Sequence, residues 1–189
     1  MPLIDPTDPR PVHFMGIAGA GMSALAELCQ RRGAVITGCD QHPSGAPDLA
    51  ALGISVSEGH SAAHVAGHRA LVVSSAIPKD HPEIVRAKSL GVPVIRRAEA
   101  LAEATAGGTL VGIAGTHGKS TTTVMTTQAL AAAGINPTGV VGARVASWSG
   151  NLSSGGNDVF VVEADEYDRS FLALAPDVAM RLARIAGQR

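Results

Sequence analysis

The sequence predicts an α/β fold, a parallel-sheet unit followed by a second unit that opens with a strand, a glycine loop and a helix, and three observations carry that prediction. Short apolar runs alternate with helix-like stretches along most of the 189 residues. The connections between runs are too long for hairpins, which argues parallel strands with helices on both faces. Two of the runs end in glycine loops that open straight into helices, at 16–21 and at 115–118.

Composition supports the same class. Hydrophobic residues form 46% of the chain, enough for real cores, and aromatics only 3%, so Ala, Val, Leu and Ile must fill them. A net charge of -1 gives no electrostatic argument for a nucleic acid or an anionic membrane, and neither is expected as a partner. No apolar run approaches the roughly 18–20 residues of a membrane-crossing helix. The first residues, rich in Pro and carrying Asp5 and Asp8, do not read as a signal peptide, so a cytoplasmic location is expected. Cys29 and Cys39 read as buried, reduced thiols. Read as holding neither an HxxxH nor an HExxH pair among seven His, the chain is expected to lack a catalytic zinc site. His60, His64, His68 and His81 read as polar surface or capping residues, with His60 alone kept as a site candidate.

In order, strands are expected at 12–17 and 34–38 around a helix from about Gly21 to Arg32. In that helix Met22, Leu25, Ala26 and Cys29 form an apolar stripe, and Arg31 and Arg32 suit the negative C-terminal end. Weaker strands follow at 54–57, 70–74 and 92–95, the last preceded by a helix over 81–90. A short helix spans 98–106. Gly107-Gly108 then breaks the pattern, so a first domain of 1–107 and a second of 108–189 are expected. The second adds a strand at 109–114, a helix over 121–133, and strands near 139–141 and 158–163. A loop rich in Ser, Gly and Asn separates the last two.

Gly115-Thr116-His117-Gly118-Lys119-Ser120-Thr121 lies between a strand and a helix, the order that makes a phosphate cradle. Lys119 is expected to reach the β- and γ-phosphates of ATP, and the Ser120 hydroxyl to hold Mg²⁺. The usual first glycine position holds Ile113, so the loop is a variant in which Gly112 or Gly115 takes that role. Glu163 ends a buried strand and is the best second oxygen ligand for Mg²⁺. Asp165 points the same way by the period of two, and Asp168 lies in the following turn. The earlier loop, Gly16-Ile17-Ala18-Gly19-Ala20-Gly21, fits a dinucleotide fingerprint with Ala18 at the middle glycine. Asp40 stands at the end of the next strand, where an acid usually meets a ribose hydroxyl. The loop runs on to Met22, which is counted with it as a candidate for binding the same ligand. Ser74 and Ser75, at a strand end, could offer hydroxyls and N–H groups to the same ligand.

These segments resemble the Mur ligases of peptidoglycan synthesis. The resemblance rests on His13 to Met22, on Val72-Val73-Ser74-Ser75-Ala76-Ile77, on Ala114 to Thr123 and on Glu163-Ala164-Asp165-Glu166. It runs in order over nearly all of 12–179, with Ala18 and Ser120 departing from the commoner Gly and Thr. It implies a Rossmann-like UDP-sugar-binding domain followed by part of a P-loop central domain. It also implies that the first ligand is UDP-linked rather than NAD. In such a ligase ATP phosphorylates the lactyl carboxylate of UDP-N-acetylmuramate, and an amine attacks the acyl phosphate. His117 favours the member that adds L-alanine; the ligase that attaches a recycled peptide is the nearest rival. Beyond Ala179 the family continues into a metal-associated His and an amino-acid-binding domain. Here the chain reads Met180 to Arg189, so catalysis by this polypeptide alone is not expected. A non-catalytic UDP-sugar- or ATP-binding module is the reading from another class. An NAD(P) oxidoreductase, resting on the first loop alone, leaves Lys119 and Glu163 unexplained.

Overall fold

Apolar runs pair as parallel strands because each can bury both faces under helices. The structure, a computed structural model, describes residues 2–164 and 173–182. It divides into two compact units, residues 1–104 and 105–189, the division falling where a helix ends just ahead of Gly107-Gly108.

The first unit holds β1 (Val12–Met15), β2 (Ile36–Asp40), β3 (Ser55–Glu58), β4 (Ala70–Val73) and β5 (Val94–Arg96), in the spatial order β3-β2-β1-β4-β5. All four pairings are parallel. β1 and β4 are buried at every residue, as central strands of a covered sheet should be. Helix α1 (Ala20–Arg31) connects β1 to β2 and buries Met22, Leu25, Ala26 and Cys29, the expected stripe, together with Ala24 and Leu28. Helix α2 (Asp48–Ala51), a single turn, lies where no element was expected. Helix α3 (Pro82–Ser89) begins with the His81 side chain accepting the Glu83 N–H, so His81 is a cap as expected. Helix α4 (Arg97–Ala104) follows β5 directly.

The second unit holds β6 (Thr109–Gly115), α5 (Lys119–Ala132), β7 (Thr138–Val145), β8 (Gly150–Ser153), β9 (Val159–Glu163) and β10 (Val178–Leu182). Its sheet runs β10-β6-β9-β7-β8. β7 and β8 pair antiparallel, a hairpin inside the stretch expected to be a loop, so this sheet is mixed. Ser149 turns that hairpin in a left-handed conformation, φ 57°, without the Asn-Gly signal that usually marks such a turn. The Thr-rich α5 stays helical because hydroxyls find partners within it. Thr123 Oγ1 donates to the Lys119 carbonyl at 2.9 Å, and Thr127 Oγ1 to that of Thr123 at 2.8 Å.

Cys29 and Cys39 are both buried free thiols, as expected. No described helix is long and apolar enough to cross a membrane.

Gly38 shows how tightly the first sheet packs on its loop. A Cβ there would stand 2.6 Å from Ile17 Cδ1 and 2.8 Å from the Phe14 carbonyl oxygen. Gly38→Ala is therefore expected to lower stability by about 1–3 kcal/mol, read as a lower urea midpoint. An unchanged midpoint would show that the loop yields freely.

Candidate functional site

In the second unit the chain leaves β6 at Gly115 and reaches α5 in three residues. Gly118 makes the turn at φ 78°, a left-handed conformation that costs a glycine little. Gly115 lies so close to β10 that a Cβ would meet the Leu182 carbonyl at 2.6 Å. Lys119, Ser120 and Thr121 form the first turn of α5, whose N–H groups have no carbonyl partner within the helix. Thr122 N–H is the first to bond back, to the Gly118 carbonyl at 2.9 Å. Thr116, His117, Gly118 and Thr121 are exposed, while Lys119 and Ser120 are half-buried. The helix begins two residues earlier than the sequence suggested, which brings Lys119 and Ser120 onto its positive end.

Glu163 lies at the end of β9, paired with Ile113 of β6. Its Oε2 accepts the Ser120 hydroxyl at 2.9 Å and the Gly142 N–H at 2.8 Å. Two residues distant in sequence thus meet beside the loop. A hydroxyl and a carboxylate are hard oxygen donors, the chemistry that suits Mg²⁺. Asp165 and Asp168 lie outside the described residues, as does the chain after Leu182.

In the first unit Gly16 turns the chain off β1 at φ 75°. The N–H groups of Gly16 and Ile17 donate to the Cys39 carbonyl at 2.8 and 3.1 Å. Gly19 caps α1 without a side chain, leaving Ala20, Gly21 and Met22 as its first turn. Asp40 closes the loop: its Oδ2 accepts the Ala18 N–H and its Oδ1 the His42 N–H, each at 2.9 Å. The carboxylate therefore holds the loop, a bond that sequence position could not reveal. The Ala18 methyl lies 3.5 Å from where a Cβ on Gly45 would stand, so it is turned toward the 43–45 turn.

β1 and β4 are neighbours, and their onward connections lead to opposite ends of the sheet. That reversal opens a crevice at the carboxyl ends of the two strands, where ligands of doubly wound sheets sit. Gly16 and Ser74 directly follow the paired residues Met15 and Val73, so they flank this crevice. Ser74 is half-buried and Ser75 exposed. Arg97 was missed in the sequence, where Arg96-Arg97 looks like a solvated pair. A Cβ on Gly21 would stand 3.0 Å from Arg97 Nη1, so the guanidinium lies over the first turn of α1. Its place at the carboxyl end of β5 was the available signal.

The histidines need a larger correction. His60, His64 and His68 are spaced four apart, so HxxxH pairs are present, contrary to expectation, and all three are half-buried rather than surface groups. They gather around His13, which is 3% exposed.

Comparison with known proteins bears on the family and the fold. Residues 11–109 match the profile described as Mur ligase family, catalytic domain. The chain belongs to the Mur ligase family. The matched residues cover the first unit, and the loop at Gly115 lies beyond them. The chain is 47% identical over 178 residues to a UDP-N-acetylmuramate–L-alanine ligase of Frankia casuarinae, covering 89% of this chain and 35% of that one. It is 48% identical over 170 residues to the ligase of the same name from Arthrobacter, covering 89% of this chain and 36% of that one. It thus spans about a third of the length of these curated relatives. The solved UDP-N-acetylmuramate–alanine ligase of Thermotoga maritima aligns with a TM-score of 0.83 at 30% identity, over 90% of this chain and 40% of that one. The UDP-N-acetylmuramate:L-alanyl-γ-D-glutamyl-meso-diaminopimelate ligase of Neisseria aligns with a TM-score of 0.81 at 26% identity, over 96% and 63%.

Burial, followed by the neighbouring His68, His64 and His60, holds the His13 pKa down to about 3 from an ordinary 6.5. Thr37, Cys39 and Glu83 complete its surroundings. The unfolded chain therefore takes up this proton first as the pH falls. Stability is full above pH 6.5 and is lost progressively toward pH 3. The urea midpoint should fall with pH across that window, and less steeply in His13→Gln. Equal slopes for the two proteins would contradict a neutral, buried imidazole.

Proposed function

We propose that this chain binds UDP-N-acetylmuramate in its first unit and MgATP in its second, serving an ATP-dependent ligase that joins L-alanine to the sugar's lactyl carboxylate. The observation that carries the reading is the Ser120–Glu163 pair, 2.9 Å apart, beside a loop that brings Lys119 onto the start of α5. The names of the relatives at 47% and 48% identity support the choice of substrates.

A free carboxylate is too poor an electrophile for amide formation, so its oxygen must first be phosphorylated. In the second unit the first-turn N–H groups of α5 bind and orient the triphosphate, and Lys119 offsets charge on the transferring phosphoryl group. Ser120 and Glu163 would hold Mg²⁺, which neutralises phosphate charge when bound. In the first unit the loop from Gly16 to Gly21, the start of α1 and Arg97 receive the diphosphate, with Ser74 and Ser75 at the edge of the crevice. Asp40 contributes by holding Ala18, and so fixes the shape of the loop. A cytoplasmic setting fits the location of soluble nucleotides.

A second reading, a ligase that attaches a peptide to the same UDP-sugar, is favoured by the similarity to solved peptide ligases, that of Neisseria among them. Both readings share the two nucleotide sites and differ in the amine.

Calorimetry of the 189-residue chain should give heat with UDP-N-acetylmuramate and none with NAD. A preference for NAD would overturn the assignment of the first site. Asp40→Ala and Arg97→Ala should each weaken the UDP-sugar by about 1–3 kcal/mol, through a loosened loop and a lost charged contact respectively. Lys119→Ala should abolish the signal of a fluorescent ATP while the circular dichroism spectrum stays intact. Equal binding by that variant would mean that the second loop does not cradle a nucleotide.

A further inference from the structure

Beneath the glycine loop of the first unit, four donor side chains converge from four separate segments. His13 comes from β1, Cys39 from β2, His64 from a turn at 62–65, and Glu83 from the first turn of α3. One donor atom of each lies within 4.8 Å of the donor atoms of the other three. Cys39 and Glu83 are fully buried and His13 is 3% exposed. His60 Nδ1 lies 3.2 Å from Cys39 Sγ, at the edge of the group.

The hydrogen bonds around His13 fit one tautomer. The Ala66 carbonyl can only accept, so His68 Nδ1, at 3.2 Å, carries a hydrogen. In a neutral ring that leaves Nε2 to accept from the Thr37 hydroxyl at 2.9 Å. The Thr37 oxygen then accepts from His13 Nδ1–H, also at 2.9 Å. His13 Nε2 is left with a lone pair, buried and without a hydrogen-bond partner. His64 Nδ1 is buried without a partner too, 3.6 Å from Glu83 Oε1. Buried polar atoms are nearly always satisfied, so two bare nitrogens in one group ask for a ligand.

Two imidazole nitrogens, a sulfur and a carboxylate oxygen make a four-donor set suited to tetrahedral zinc. Mg²⁺ and Ca²⁺ prefer oxygen alone. Thr37 is the outer contact that orients a ligating histidine. We propose that His13, Cys39, His64 and Glu83 form a structural site for a zinc-class divalent cation, clamping β1, β2, the 62–65 turn and α3 under the glycine loop. Binding exchanges the Cys39 S–H bond for a metal–sulfur bond, and the proton leaves to solvent. With four protein ligands no position stays open for a substrate, so the role is structural. The clamp acts on the loop through Cys39, whose carbonyl holds Gly16 and Ile17. This proposal is independent of the UDP-sugar assignment.

The test uses the full chain, stripped with a chelator and titrated with Co²⁺ and then Zn²⁺. One Co²⁺ per chain should bind with tetrahedral ligand-field bands and a thiolate-to-cobalt charge-transfer band, both lost when stoichiometric Zn²⁺ is added. Zn²⁺ should raise the thermal midpoint. Cys39→Ser should lose the charge-transfer band. Thr37→Val, nearly the same shape, should weaken Zn²⁺ by about 10–100-fold, and His64→Gln, at a half-buried position, by at least as much. His117→Gln, in the other unit, should bind as the parent does. A folded parent chain without the charge-transfer band would overturn the proposal. So would undiminished Zn²⁺ affinity in folded His64→Gln.

Discussion

Parallel pairing decides where chemistry can sit in this protein. Once β1 pairs in one direction with β2 and β4, and β6 with β9 and β10, the carboxyl ends of those strands share an edge in each unit. β1 and β6 are each followed by a glycine loop that turns into a helix running back. The positive end of that helix arrives at the same edge with N–H groups it cannot satisfy itself. An anion-binding site is the natural use of such an end. Gly16 and Gly118, both at positive φ, let the chain make the turn closely enough for the helix start to lie beside the strand tip.

The two loops solve the same problem with different supports. In the second unit the carboxylate of Glu163 ties the helix start, through Ser120, to β7, through the Gly142 N–H. In the first unit the support comes from β2: the Cys39 carbonyl takes two loop N–H groups and the Asp40 carboxylate a third. One strand end therefore sets the shape of the loop above it. Its Cys39 side chain belongs to the polar cluster in the core below. The buried polar groups and the glycine loop are parts of one construction, and a disturbance of the cluster should be felt at the loop.

Much of this was legible in the sequence, for physical reasons. Buried parallel strands need continuous apolar runs, so β1, β4, β6 and β9 stood out, and glycine loops are punctuation that few other structures require. β8 did not stand out because Gly150, Asn151 and Ser153 lack an apolar alternation and its hairpin turns on a serine. The place of Asp40 was readable from its spacing to the loop, but its bond to Ala18 depends on how the loop folds back. Arg97 was hidden because only the fold brings the start of α4 over the start of α1. The cluster was least legible: residues 13, 39, 64 and 83 meet only after three strand crossovers, and each alone looks ordinary.

Two loops that receive different nucleotides should respond separately when UDP-N-acetylmuramate and MgATP are added in turn to the ¹⁵N-labelled chain and its amide chemical shifts are followed. The sugar nucleotide should shift the N–H signals of Gly19, Ala20 and Gly21, and MgATP those of Gly118, Lys119 and Ser120. Both ligands moving the same set of amides, or neither moving any of them, would contradict that assignment.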